Sequence, residues 1–347
     1  MAGYSRRIVR VWIAISLGWW CWVGGNGTSR LLRSLRGLLA DGALGSLHAL
    51  VHMADDGGST GRLREQYGVS AIGDLTKCLM ALNGLEDDIR GKQFLKALDY
   101  RFDRGDFEGH TVRNILLAAL ELTQDDIDAG VAVQARVLQV MKYSGVVPMT
   151  LRPLTQVVEV QQGESFVPLG EGEHFIAHNV NLQADEAWRP GDVRVVFKED
   201  DVVLNERAVD VLGEATHVVV APGHTYGTIL PALAVPGLKE AIAGIEAQLV
   251  VAMTLLTTPK QTAGWSGEDF VAVYESYLGQ AVSSVIANTG SVDIDLVVGQ
   301  DWVRFSEQDH DYELFEAELV ASETPVVQKS DVVPRAIAVH DAEKLRR

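Results

Sequence analysis

Asp55 and Asp56 stand side by side in the stretch MADDGGSTGRLR, followed by Gly57, Gly58 and Ser59, with Arg62 and Arg64 one turn further on. Adjacent carboxylates are unfavourable unless water, hydrogen-bond donors or a cation compensates them. Their hard oxygens suit magnesium, which keeps several waters and bridges to phosphate. Asp55 and Asp56 are therefore a candidate metal pair, one carboxylate on the ion and the other on a substrate hydroxyl. Arg62 or Arg64 would clamp anionic oxygens through a bidentate fork. Ser59 and the two glycines bring a hydroxyl and close-approaching backbone N–H groups to the same loop. The plainer alternative is a solvated turn in which an aspartate bonds its own backbone two residues on.

Three other stretches carry similar chemistry. Gly24, Gly25, Gly27, Thr28 and Ser29 precede a leucine-rich periodic run. Glycines allow close approach of a phosphate, and a helix N-terminus offers free N–H groups and a favourable dipole. This run matches neither the dinucleotide fingerprint nor the Walker loop. His110 and Asn114 are four residues apart; a helix beginning near His110 would place both on one face. Gly223, Thr225 and Thr228 lie in APGHTYGT, where a glycine-shaped turn and two hydroxyls would line a ligand crevice. No nucleophile, base and orienting group can be assigned as a set, so no catalytic residue is named.

These loops need a frame that gathers them. Residues 8–23 read as a first strand, and Leu31, Leu32, Leu35, Leu38 and Leu39 recur at helical spacing. SLHALVHMA reads as a second buried strand ending at the acidic loop. Helices are expected over 71–82, starting near Asp74, over 87–99, and after His110. Between about 146 and 205 short β-like runs suggest a small antiparallel insertion. Strand and helix patterns then alternate again through HVVV, QLVVAM and SSVIAN. The order predicts an α/β, doubly wound and mainly parallel sheet with a β-rich insertion. Ligands of such folds bind at the carboxyl ends of the strands.

Composition narrows the function classes. Acids outnumber bases 47 to 30, a net charge of -17, which disfavours a nucleic-acid or anionic-membrane partner. Two cysteines form no disulfide framework or zinc pattern, which suits a reducing, cytoplasmic setting. The basic then apolar N-terminus has the first two regions of a secretion signal. Its apolar part is too short for a membrane span, and no small-x-small cleavage pattern follows. A buried first strand feeding the glycine loop is the favoured alternative. Trp19, Trp20 and Trp22 are bulky for an interior strand.

In order along nearly the whole chain, GGNGTSRLL, ADDGGSTGRLR, GDLTKCLMAL, YRFDRGDFEGHTVRNILLAAL, APGHTYGTILPALAVPGL, IANTG and HDAEKL resemble one superfamily. It joins 2-phospho-L-lactate transferase (the CofD type) to the bacterial gluconeogenesis factors. The resemblance implies a Rossmann-like core with a nucleotide-type site, a single nucleotide-binding domain over 1–347 that carries the β-rich insertion. In the gluconeogenesis-factor branch, which YRFDRGDFEGH and GDLTKCLMAL resemble more, it implies UDP-sugar binding, central carbon control and maintenance of cell shape or wall. In the transferase branch it implies magnesium-dependent transfer of a phospholactyl group from a nucleotide-activated donor to a deazaflavin alcohol. The expected partner is thus a nucleotide or nucleotide sugar, with magnesium as the candidate ion, no tightly bound organic cofactor, and a homodimer as a compatible assembly. By the same resemblance Asp55 and Asp56 are the acidic substrate- and metal-contacting pair, Asn114 is the asparagine of the Gly-Asn segment, and Gly223 and Thr228 belong to the late ligand loop. Departures from the family pattern are Lys77 for asparagine, Arg113 for glycine, Ala221 and His224 for glycine and serine, and Gln261 for an acid.

Overall fold

The computed structural model describes residues 10–15, 27–86, 88–172, 176, 188–296, 298–323, 337–341 and 343–344, with 10–15, 27, 322–323 and 337 described by backbone alone. Gly24, Gly25 and the tryptophans at 19, 20 and 22 lie outside the described residues. Seven parallel strands form the central sheet. These are β1 (Arg10–Ile15), β2 (Ser46–Val51), β3 (Ser144–Pro148), β7 (His217–Val220), β8 (Gln248–Ala252), β9 (Ser284–Asn288) and β10 (Glu313–Ala317), in the order β10-β9-β8-β7-β1-β2-β3. From β1 the chain winds outward to β2 and β3, then returns to the other side of β1 at β7. Right-handed crossovers in opposite directions place helices on opposite faces, and the winding reverses between β1 and β7.

Helices α1 (Gly27–Ala40), α2 (Gly58–Tyr67), α3 (Ile72–Ala81), α4 (Ile89–Leu98), α5 (Val112–Thr123) and α6 (Ile127–Val137) cluster beside β2 and β3. α7 (Glu206–Gly213), α8 (Leu230–Leu233), α9 (Leu238–Ala243) and α10 (Gly267–Leu278) form the second layer. Short polar side chains start several helices: Asp88, Thr111, Asp126 and Ser266 each accept a hydrogen bond from a first-turn N–H. Leu47, Ala49, Leu50 and Val51 of β2 are fully buried, as a sheet covered on both faces requires. Among the described residues no helix is long and apolar enough to cross a membrane.

The expected β-rich insertion is a three-stranded antiparallel sheet of β4 (Gln156–Gln162), β5 (Ser165–Glu171) and β6 (Val193–Phe197), with β4 in the middle. It is fastened to the body at several points. The Leu154 N–H donates to the Met53 carbonyl at 2.8 Å, Gln261 Nε2 to the Ile176 carbonyl at 2.9 Å, and Trp265 Nε1 to the Trp188 carbonyl at 2.7 Å. The Trp188 and Tyr226 rings pack edge to face with centroids 4.8 Å apart. A further antiparallel pair joins β11 (Val320–Glu323) to β12 (Ile337–His340).

Candidate functional site at the carboxyl ends of the strands

The acidic loop leaves β2 at the edge where the sheet reading places a crevice. Asp55 is fully buried, and its Oδ1 accepts the Gly57 N–H at 2.9 Å. This is a local aspartate turn, buried rather than solvated. Asp55 Oδ2 is also buried and has no hydrogen-bond partner. Gly73 of α3 lies against it: a Cβ there would overlap Thr60 Oγ1 and come within 2.7 Å of Asp55 Oδ2. Gly58 opens α2 at φ +46, a backbone conformation that suits glycine. The insertion closes over the neighbouring carboxylate, since a Cβ on Gly172 would overlap Asp56 Oδ2.

Ser59 is the hub of a buried polar chain. Its Oγ lies 2.9 Å from His110 Nδ1, and Asn114 Nδ2 donates to it at 3.2 Å. Thr76 Oγ1 in turn donates to Asn114 Oδ1 at 3.0 Å. The Ser59 hydroxyl can donate to His110 Nδ1 or accept from it while accepting from Asn114. Burial, then the positive charges of Arg62 and Arg101, push the His110 pKa below its ordinary value, which favours the neutral ring. His110 does not belong to the helix, however. Thr111 is the N-cap of α5 and the helix starts at Val112. His110 instead ends a small hairpin in which the Phe102 N–H donates to the His110 carbonyl and the Gly109 N–H to the Phe102 carbonyl. His110 and Asn114 meet through Ser59 and not by sharing a helix face.

The two arginines of the acidic loop have different surroundings. Arg64 is fixed by backbone: its two terminal nitrogens donate to the carbonyls of Asp55 at 2.7 Å and Leu154 at 2.9 Å, so the proposed anion fork is occupied. Arg62 donates from one nitrogen to the Glu108 carbonyl at 2.6 Å. The loop after β7 folds into a π-helical turn, Thr225–Ile229, capped by His224, whose Nδ1 accepts the Gly227 N–H at 2.9 Å. Such turns recur at functional sites. Thr225 and Thr228 are buried within it, and Gly223 is needed because a Cβ would lie 2.7 Å from Thr228 Cγ2. β2 and β7 flank β1, so their ends are about 10 Å apart. Thr28 and Ser29 are buried in the first turn of α1. The described part of the expected set thus gathers along one edge of the sheet.

Several residues there carry no sequence signal beyond an isolated polar letter in an apolar run. His52 is fully buried, its Nδ1 accepts the Ala54 N–H at 3.0 Å, and its Nε2 has no partner. Burial, with Arg64 close by, lowers its pKa to about 3, so the ring is neutral and Nε2 carries the proton. Thr28 Oγ1, Gln261 Oε1 and both amide atoms of Gln156 are likewise buried without partners. Among the described residues no group of three or more His, Cys, Asp or Glu side chains is placed to hold a metal. A magnesium ion at Asp55 and Asp56 would have two hard carboxylates, one with an unpartnered oxygen, and would take its other ligands from phosphate and water. The departures from the family pattern are accommodated locally. Lys77 pairs with the buried Asp74 at 3.0 Å, Arg113 pairs with Asp99, and Gln261 holds the insertion.

Fold and site together define an α/β protein with an open parallel sheet and polar loops at the carboxyl ends of its central strands. The sequence model described as 2-phospho-L-lactate transferase CofD matches residues 21–330, and the chain belongs to the CofD family. Named relatives are gluconeogenesis factors. One from Listeria innocua is 31% identical over 262 residues, 74% of each chain, and one from Bacillus subtilis is 27% identical over 328 residues, 93% of each. A homologue of this name from Deinococcus radiodurans is 32% identical over 273 residues, 78% of this chain. The chain spans about half the length of that relative and of the one from Nostoc, 53% and 57% respectively. A solved protein of the UPF0052 family from Bacillus halodurans shares the fold, with a TM-score of 0.76, 24% identity and 98% of each chain covered.

Proposed function

We propose that the protein is a gluconeogenesis-factor-like regulatory binder of nucleotide sugars, linked to central carbon metabolism and cell shape. One observation carries the proposal: where β1 and β2 give way to their loops, Thr28 Oγ1, His52 Nε2 and Asp55 Oδ2 are buried without partners. A buried unsatisfied group costs about 1–3 kcal/mol, and a ligand seated at these strand ends would complete all three. A nucleotide sugar has the required mix of phosphate, hydroxyl and base groups. In this reading the first turn of α1 and the loop at 223–228 cradle the diphosphate. Asn114 and Ser59 orient the ligand, and Asp56 holds a hydroxyl or magnesium.

Calorimetric titration with UDP-sugars, GDP and GTP, with and without magnesium, tests this. Saturable UDP-sugar binding is expected; a folded sample that binds none of them overturns the proposal. The match to the transferase model favours one second reading. An acceptor alcohol held at Asp55 or Asp56 would attack the phospholactyl phosphorus and pass its proton to that carboxylate, the nucleoside monophosphate would leave with the electron pair of the broken P–O bond, and N–H groups would stabilise the charge on the phosphate oxygens. Bound magnesium would supply further neutralisation of those oxygens. Incubation with a phospholactyl nucleotide donor, a deazaflavin alcohol and magnesium decides it, and absence of product removes that reading.

A further inference from the structure

Gln156 opens β4, the middle strand of the insertion. Its side chain is fully buried, and neither Oε1 nor Nε2 has a hydrogen-bond partner. Its backbone ties it to the acidic loop. The Gln156 carbonyl accepts the Gly172 N–H at 2.8 Å, and Gly172 packs on the Asp56 carboxylate. Two residues earlier, Leu154 bonds Met53 and receives Arg64, the same arginine that holds the Asp55 carbonyl. Alternation along the strand puts Gln156 on the same face as Val158, which is buried in the main core. The amide is therefore buried on the face of the insertion that packs on the main core, with the backbone of its own residue tied through Gly172 to the acidic loop.

A primary amide offers a donor beside an acceptor in one plane. Neither atom faces a fixed charge across a hydrogen bond, so the natural complement is an uncharged planar group of the same kind. The geometry points to Gln156 as a specificity residue that pairs with an uncharged donor–acceptor edge of the ligand. A nucleobase and an acylamino sugar both carry such an edge, and a bare phosphate does not. The inference rests on the nucleotide-sugar reading and adds to it which part of the ligand the insertion contacts. Gln134 supplies an internal control. It too is fully buried with both amide atoms unpartnered, but it lies on α6, outside the strand-end loops.

The test compares Gln156→Met, Gln156→Ala and Gln134→Met with the wild type in titrations against UMP, N-acetylglucosamine 1-phosphate and pyrophosphate. Methionine keeps the length of the side chain and removes its polar atoms. Gln156→Met is expected to weaken UMP or the amino-sugar phosphate about tenfold or more, and whichever ligand responds identifies the group read. Pyrophosphate binding to Gln156→Met and all three Gln134→Met affinities should not change. Without ligand, Gln156→Met should melt at the wild-type temperature or about 1–2 °C higher, because an unsatisfied group has been removed. Equal losses for all three ligands, or no loss for any, overturn the inference even where the wild type binds UDP-sugars. Wild-type protein that binds none of the probes overturns the functional reading itself. Gln156→Ala serves if the methionine variant does not fold, with the same expected selectivity.

Discussion

Along the chain from Thr76 through Asn114 and Ser59 to His110, each linking hydroxyl and amide has a partner within 2.9–3.2 Å. Asp55 Oδ2, four residues before Ser59, and the side chains of Gln156 and, at Oε1, Gln261 are as deeply buried and have none. The two groups differ in what completes them. The first is completed by the protein itself and fixes the shape of the loop. The second is left for water or ligand. A closed network contributes stability whether or not ligand is present, whereas an open one lowers stability until it is filled.

Acid should give the largest effect, because it charges three buried imidazole rings at once and so sets a scale for the smaller changes within the two groups. Burial lowers the pKa of His52 to about 3, and of His48 and His340 to about 4, with Arg64, Arg207 and Arg30 respectively adding to the effect. Each folded value lies below the unfolded one, so the unfolded chain binds more protons in between. Stability is then fully present above about pH 6.5 and falls as pH drops towards 4, by on the order of 5 kcal/mol at pH 5. Urea midpoints at pH 7, 6 and 5 check this, and a flat series would mean that these rings are not held neutral.

Asn114→Ala breaks the closed chain and leaves Ser59 and Thr76 without their shared partner. A loss of about 3 kcal/mol in unfolding free energy is expected, with ligand binding lost as well. An unchanged urea midpoint would show that the chain contributes no stability. Gly73→Ala strikes the open side: the new methyl pushes on Thr60 and Asp55. It should cost about 2 kcal/mol and weaken magnesium-dependent ligand binding more than it lowers the melting temperature. Asp126→Ala is the smallest and sharpens the contrast from outside. It removes the 2.8 Å cap on the Ala129 N–H of α6, lowering stability by about 1 kcal/mol with no change in affinity.

The sheet was legible because its signals are local. An apolar run such as HVVV or SLHALV, a glycine turn and a periodic helix, repeated in order, admit few topologies, and the observed parallel order is one of them. The antiparallel insertion was visible as a change of texture, and it spans Gln156–Phe197. Less was legible at the site. Arg62 or Arg64 was the candidate anion clamp, and Arg64 ties two carbonyls. A helix does begin near His110, but at Val112 after the Thr111 cap, and His110 itself closes a hairpin. In both cases the competing partners were backbone groups, which no pattern of side-chain letters displays.

By itself the sequence determined which residue types stand after each strand, because glycine, aspartate and threonine at those points follow from turn chemistry and chain direction. Only the tertiary structure decided which of these polar groups satisfy one another. Ser59 and Asn114 are 55 residues apart, and Gln261 and Ile176 are 85 apart. A hydrogen bond acts over about 3 Å and depends on angle. Separations of that length along the chain are closed only when the sheet, its helices and the insertion have packed.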